Sequence, residues 1–195
     1  MMLDLAPLLT SFSIIFLAEL GDKTQICAIM LSSRSSARSV FMGAMAAFFI
    51  VDGLSALLGG ELLGLLPRNM IGLAAGIAFI FFGIITLIRR EKSGCACDYA
   101  GASFLRAFSL IALMELGDKT QIFSILLAAN FGSPFMVLAG IMFAFMVITG
   151  IGVFLGYKIL RIIPERFLRN GAAAVFIMLG LTQIVEALFN VNILP

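Results

Sequence analysis

The segment Glu19-Leu-Gly-Asp-Lys-Thr-Gln-Ile26 recurs letter for letter as Glu115-Leu-Gly-Asp-Lys-Thr-Gln-Ile122, each copy in the middle of an apolar stretch long enough to cross a bilayer. The chain therefore carries two carboxylates and one lysine to membrane depth twice, in the same order. Hydrocarbon makes each ionisable group costly by several kcal/mol, so such groups are rarely kept there without a polar task. A duplicated set marks a site shared by two halves, and a path for a cation is the task that fits it.

The rest of the chain leaves little room for another class. It is 62% hydrophobic and 12% charged, with a mean hydropathy of +1.13; soluble domains run at about 45–50% apolar and about 25% charged. The apolar runs are long and unbroken, not the short alternating segments of a barrel. A helical bundle satisfies every backbone group internally, as lipid demands. The expectation is an all-α integral membrane protein with no soluble catalytic domain, no prosthetic group and no nucleic-acid partner. The first apolar stretch follows Asp4 instead of a basic start, lacks a small-residue cleavage site and contains the charged motif. It reads as a membrane helix and not a removable signal.

Runs of about 20 apolar residues define spans. Six are expected, near 8–31, 40–66, 70–88, 104–128, 135–160 and 170–190. The repeat reaches beyond the motif. Residues 12–26 match 108–122 at 12 of 15 positions, an offset of 96. At an offset of 97, Gly43 meets Gly140, Gly53 Gly150, Gly59 Gly156, Pro67 Pro164, Phe79 Phe176 and Gly83 Gly180. The chain divides into a three-helix unit at 1–88, a linker loop at 89–103 and a second three-helix unit at 104–195. Three crossings are odd, so the second unit enters the membrane from the opposite side and the halves are inverted. Inverted repeats with a site at their midplane interface are a transporter architecture.

Ten basic residues (Arg34, Arg38, Arg89, Arg90, Lys92, Arg106, Lys158, Arg161, Arg166 and Arg169) fall on one side, against Arg68 on the other. The positive-inside rule puts the basic side, with the linker, in the cytoplasm and both termini outside. Lys23 and Lys119 are the remaining cations, at membrane depth.

On a continuous helix of about 100° per residue, Glu19, Asp22 and Lys23 share one face, with Gln25 at its edge and Thr24 turned away. The same holds for Glu115, Asp118, Lys119, Gln121 and Thr120. Two inverted faces bring together four carboxylates and two amide oxygens, six oxygens in all, a number that suits a hard divalent cation. Four carboxylates and two ammonium groups leave two negative charges, which one divalent ion neutralises. Without that ion, crowding in a low dielectric disfavours full ionisation. Protons then take the metal's place, and the two compete for the same oxygens. The alternative is that Glu19–Lys23 and Glu115–Lys119 are helix-stabilising ion pairs, which leaves Asp22 and Asp118 unexplained.

Gly21 and Gly117 mark either a local unwinding or plain close packing. Asp52 aligns with Thr149, so the halves differ there, and Asp52 is either a candidate proton carrier or auxiliary ligand or a satisfied polar residue facing water; Lys23, Lys119, Thr24 and Thr120 are further auxiliary or proton-coupling candidates. Glu61 and Glu186 read as interfacial. With no histidine in the chain, imidazole metal sites are excluded and oxygen ligands suit Mg, Ca and Mn. Cys27 reads as packing. Cys95 and Cys97 form either a metal-responsive or redox pair or two incidental thiols.

The paired Glu-Leu-Gly-Asp-Lys-Thr at 19–24 and 115–120 resembles the hallmark Glu-x-Gly-Asp-(Lys/Arg)-(Ser/Thr) of the Golgi and bacterial cation transporters long listed as uncharacterised protein family 0016. The resemblance covers essentially the whole chain. It implies a cation–proton exchanger moving Mn2+, and in some members Ca2+, with Glu19, Asp22, Glu115 and Asp118 as ion ligands. Bacterial-type members imply Mn2+ export, and the short termini favour a prokaryotic plasma membrane. The competing readings are an amino-acid exporter of the lysine-exporter type, which wants fewer clustered carboxylates, and a divalent-cation channel, which intramembrane lysines impede. An aspartyl intramembrane protease, with Gly-x-Gly-Asp, does not match Glu19 or Glu115.

Overall fold

A computed structural model describes residues 5–33, 35–88, 104–155 and 165–189, and these are helical throughout apart from short connections. Arg34, the 89–103 linker with Arg89, Arg90, Lys92, Cys95 and Cys97, and the residues Gly156, Lys158, Arg161 and Pro164 lie outside the described residues, as do the side chains of Arg166 and Arg169. Among the described residues the helices are α1 (Ala6–Glu19) and α2 (Lys23–Ser32), α3 (Ala37–Leu63), and α4 (Arg68–Ile88). The second half gives α5 (Phe104–Glu115), α6 (Lys119–Phe131), α7 (Pro134–Leu155) and α8 (Glu165–Phe189).

Four helical stretches are long and apolar enough to cross a membrane: Ala37–Leu63, Asn69–Ile88, Pro134–Phe154 and Asn170–Phe189. The two apolar runs that carry the motif are not continuous helices. Each is interrupted within the motif, between α1 and α2 and between α5 and α6. The outside of the bundle is as apolar as its interior: Leu62, Ile77, Phe81, Phe135 and Met178 are all more than half exposed. A surface of that kind is incompatible with water and matches a lipid surround.

The packing is reciprocal between the halves. Helix α1 lies against α7, and α5 lies against α3; these are the same pairing with the halves exchanged. Helix α4 packs along α8, the third helix of one half on the third of the other. The glycines found at matching offsets sit at matching contacts. A Cβ on Gly43 would lie 2.6 Å from the Phe104 carbonyl oxygen, and one on Gly140 would overlap the carbonyl oxygen of Leu8 and the Ser11 hydroxyl. Small residues let these backbones approach. The Ser11 hydroxyl donates to the carbonyls of Pro7 (2.6 Å) and Val137 (3.2 Å), tying α1 to α7. Phe48 stacks on Phe145 at 3.7 Å, and Phe79 on Phe176 at 6.3 Å; in both pairs the rings are partners at the offset of 97. Phe123 fills the space against Phe79, Phe82 and Phe176.

One helix departs from this reciprocity. Helix α3 is wound with wide five-residue turns over Phe49–Gly53 and Ser55–Gly59, whereas its counterpart α7 is regular. Wide turns of this kind gather at functional sites, and Asp52 lies in the first of them.

Candidate cation site

The interruption in each motif has one design. Helix α1 ends at Glu19, Gly21 takes φ +86°, and α2 restarts after Asp22; α5 ends at Glu115, Gly117 takes φ +81°, and α6 restarts after Asp118. Left-handed φ values of this kind suit glycine. In both copies the aspartate N–H donates to the glutamate carbonyl at 3.1 Å. The glycine N–H donates to the side-chain oxygen of the glutamine four residues on, at 2.7 Å from Gly21 to Gln25 and 2.8 Å from Gly117 to Gln121. Gly21 and Gly117 thus mark an unwinding and not a packing contact, since a Cβ on either would meet nothing within 4 Å. The angles of a continuous helix therefore do not apply between Glu19 and Lys23. The glutamates sit at helix C-termini and the aspartates at helix N-termini.

That arrangement has an electrostatic consequence. A helix N-terminus carries partial positive charge and stabilises a carboxylate there; a C-terminus carries partial negative charge and attracts a cation. Asp22 and Asp118 stand at the start of α2 and α6 without capping their own helices, so their side chains turn to the cluster. Carboxylate oxygens of Glu19, Asp22 and Asp118 lie within 4.8 Å of one another, close enough to hold one metal ion. The Lys119 ammonium stands among them. It hydrogen-bonds Asp22 at 2.9 Å and Asp118 at 3.3 Å, and pairs with Glu19 at 3.4 Å. The side chains grade from Glu19, 3% exposed, through Asp22 at 10% to Asp118 at 35%, so the cluster opens past Asp118.

Of the residues singled out in the sequence, Glu19, Asp22, Asp118 and Lys119 meet directly, and the contact crosses from one motif to the other. Glu115 is fully buried outside this triad; its Oε2 accepts from the Thr120 hydroxyl at 2.9 Å, while Oε1 has no hydrogen-bond partner among the described residues. The oxygens of Gln25 and Gln121 are engaged by the glycine N–H groups. Their amide nitrogens donate to the Ile148 carbonyl at 3.3 Å and the Ser55 hydroxyl at 2.9 Å. Thr24 is buried, and Lys23 is exposed although its motif is identical to that of Lys119. Asp52 is fully buried, and neither of its oxygens has a hydrogen-bond partner among the described residues; Thr149, its counterpart, is also buried. Glu61 is exposed. The glutamine latch was missed in the sequence, although glutamine four residues after each glycine was its signal.

Two interrupted helices that join their carboxylates inside a lipid-facing helical bundle define a multi-pass membrane protein with an acidic cation centre. The chain belongs to the divalent cation/proton antiporter GDT1 family, whose sequence model matches residues 7–94 and 103–190. The family is one of transporters, in line with the expectation that the chain is not an enzyme. A GDT1-like protein of Schizosaccharomyces pombe is 39% identical over 88 residues, covering 45% of this chain and 31% of that protein. The chloroplastic protein PAM71 of Arabidopsis thaliana is 26% identical over 208 residues, 91% of this chain and 56% of that protein. GDT1-like protein 5 of the same plant is 26% identical over 214 residues, covering 90% of this chain and 93% of that protein. The chain spans 31% to 61% of the length of the first curated relatives it matches. No solved structure matches it significantly.

Proposed function

We propose that the chain is a secondary transporter that exports a divalent cation, Mn2+ or Ca2+, from the cytoplasm in exchange for protons. The observation that carries this reading is the joining of the two motif copies through Lys119, Glu19, Asp22 and Asp118. Six membrane crossings are proposed, as two inverted units at 1–88 and 104–195 joined by a cytoplasmic loop at 89–103. The reciprocal packing supports this arrangement, as does the family match to two blocks of equal length. An orientation with both termini on the non-cytoplasmic side is proposed, and the one-sided distribution of basic residues supports it.

In this reading Glu19, Asp22 and Asp118 hold the ion, with Glu115 behind them. Gln25 and Gln121 keep the two unwound loops in shape, and Thr120 orients Glu115. Thr24, from the first copy, also bears on Glu115. Oxygen ligands and net negative charge suit a hard divalent ion. The buried carboxylates take up protons when the ion departs, because low dielectric and like charge both disfavour an uncompensated anionic cluster. Asp52, buried beside the site in one half only, carries a proton without being copied in the other half. A proton gradient directed inward loads the site from outside, displaces the metal there, and discharges into the more alkaline cytoplasm.

The test uses sealed proteoliposomes with an internal metal-sensitive dye, an imposed pH difference and a clamped membrane potential. Metal flux should follow the pH difference, and Glu19→Gln and Asp118→Asn should abolish it while the protein remains monodisperse and helical. Flux that ignores the pH difference would assign a channel or uniporter instead.

A further inference from the structure

Lys119 stands where a cation would bind, and its repeat partner does not share that setting. Its ammonium touches all three carboxylates of the triad at 2.9–3.4 Å, and the side chain is 15% exposed. Lys23, at the same place in an identical eight-residue segment, is exposed. The motif's backbone therefore accepts its lysine both largely buried and exposed. We propose that Lys119 is a tethered occupant of the cation site that determines specificity: it bars monovalent cations and yields to an ion of charge two. The proposal rests on the divalent-cation reading above and names what sets its selectivity.

The physical argument is a comparison of competitors. Three carboxylates and one ammonium leave two negative charges. A sodium or potassium ion that replaces the ammonium brings the same single charge, so it gains no Coulomb energy. It also gives up translational freedom, which the tethered lysine does not, and loses its hydration shell. The lysine further makes charge-assisted hydrogen bonds of fixed direction. A divalent ion doubles the attraction to the same oxygens and so overcomes the lysine where a monovalent ion cannot. The partial exposure of Lys119 and the 35% exposure of Asp118 give the ammonium a way out on the open side of the cluster. Removing the ammonium while keeping the carboxylates takes away the tethered competitor and makes the site more negative by one charge, so that a small monovalent cation can enter.

The measurement is Mn2+ binding to the purified full chain in detergent, followed by the electron paramagnetic resonance signal of free Mn2+. Titrations are run in sodium or potassium chloride and, at matched ionic strength, in the chloride of N-methylglucamine, a cation too bulky for the cluster. In the wild type the two dissociation constants should agree. In Lys119→Gln, binding in N-methylglucamine should tighten, and sodium or potassium should weaken it by about tenfold or more, a conservative figure for unit charges this close. Lys119→Arg should behave as wild type. Equal constants in the two salts for Lys119→Gln would overturn the proposal.

If Lys119→Gln does not fold, Lys119→Cys in a background with Cys27, Cys95 and Cys97 replaced by serine or alanine provides the same comparison. Modification with aminoethyl methanethiosulfonate restores an ammonium and should restore indifference to sodium. The uncharged methyl reagent should not, and equal behaviour of the two adducts would again overturn the proposal. A wild type that binds no Mn2+ or Ca2+ in either salt would overturn the divalent-cation reading itself, an outcome distinct from salt-indifferent binding by Lys119→Gln.

Discussion

Replacing Gly21 with alanine tests the interrupted helix directly. A Cβ at this position meets nothing within 4 Å, so the cost is conformational and not steric crowding by neighbours. Gly21 holds φ +86°, and an L-residue with a Cβ pays about 1–2 kcal/mol in the left-handed region. That shifts a two-state balance by roughly 5–30-fold. The chain can escape the strain by continuing the helix through the motif, which breaks the Gly21–Gln25 bond of 2.7 Å and swings Asp22 away from Lys119. Gly21→Ala should therefore lower both the unfolding midpoint in mixed micelles and the affinity for Mn2+. Gly21→Asn should do less harm, because asparagine tolerates left-handed backbone better than alanine. Gly117→Ala, at φ +81°, should match Gly21→Ala. Gly132→Ala, at φ +62° past the end of α6, should cost stability without touching metal affinity. A Gly21→Ala protein with wild-type Mn2+ affinity and an unshifted midpoint would refute the reasoning.

Three further outcomes are expected. Gln25→Leu should destabilise more than Gln121→Leu, by about 1–3 kcal/mol against less than that, because the Gly21 bond is partly buried and the Gly117 bond exposed; chemical unfolding of the two variants decides this. Gly43→Ala and Gly140→Ala should each cost about 1–3 kcal/mol through overpacking, whereas Gly171→Ala, with open space around it, should be neutral or slightly stabilising in the same assay. Asp52→Asn removes a buried carboxyl that lacks hydrogen-bond partners among the described residues. It should leave the unfolding midpoint unchanged or raised while slowing proton-coupled metal flux in proteoliposomes.

Much of this architecture was legible because the sequence repeats itself. The match of residues 12–26 to 108–122, and of Gly43 to Gly140, foretold paired elements with paired contacts, and Gly43 packs on α5 as Gly140 packs on α1. The meeting of the two motifs was legible for the same reason, since charged residues in lipid need one another. The break at Gly21 was not decided by sequence. A glycine within an apolar run serves close packing as readily as it serves a turn, and the spacing of Gln25 from Gly21 was not read as the hydrogen bond it makes. The different fates of Lys23 and Lys119 had no local signal at all, because their neighbours from Glu to Ile are identical. Tertiary surroundings separate them, and so does the wide winding at Asp52, which nothing in the Phe49–Gly53 composition announces.

The stacked rings have a consequence for the proposed exchange of roles between the halves. Phe48 on Phe145 and Phe79 on Phe176 join each residue to its own counterpart, so in the proposed inverted arrangement they lie on the axis that relates the halves. Exchanging the halves maps such a contact onto itself. It strengthens both arrangements equally and acts as a pivot that favours neither. In the proposed cycle the resting preference between the two arrangements then comes from pairs that differ: Lys119 with Lys23, Asp52 with Thr149, and the large ring of Phe123 with the small thiol of Cys27.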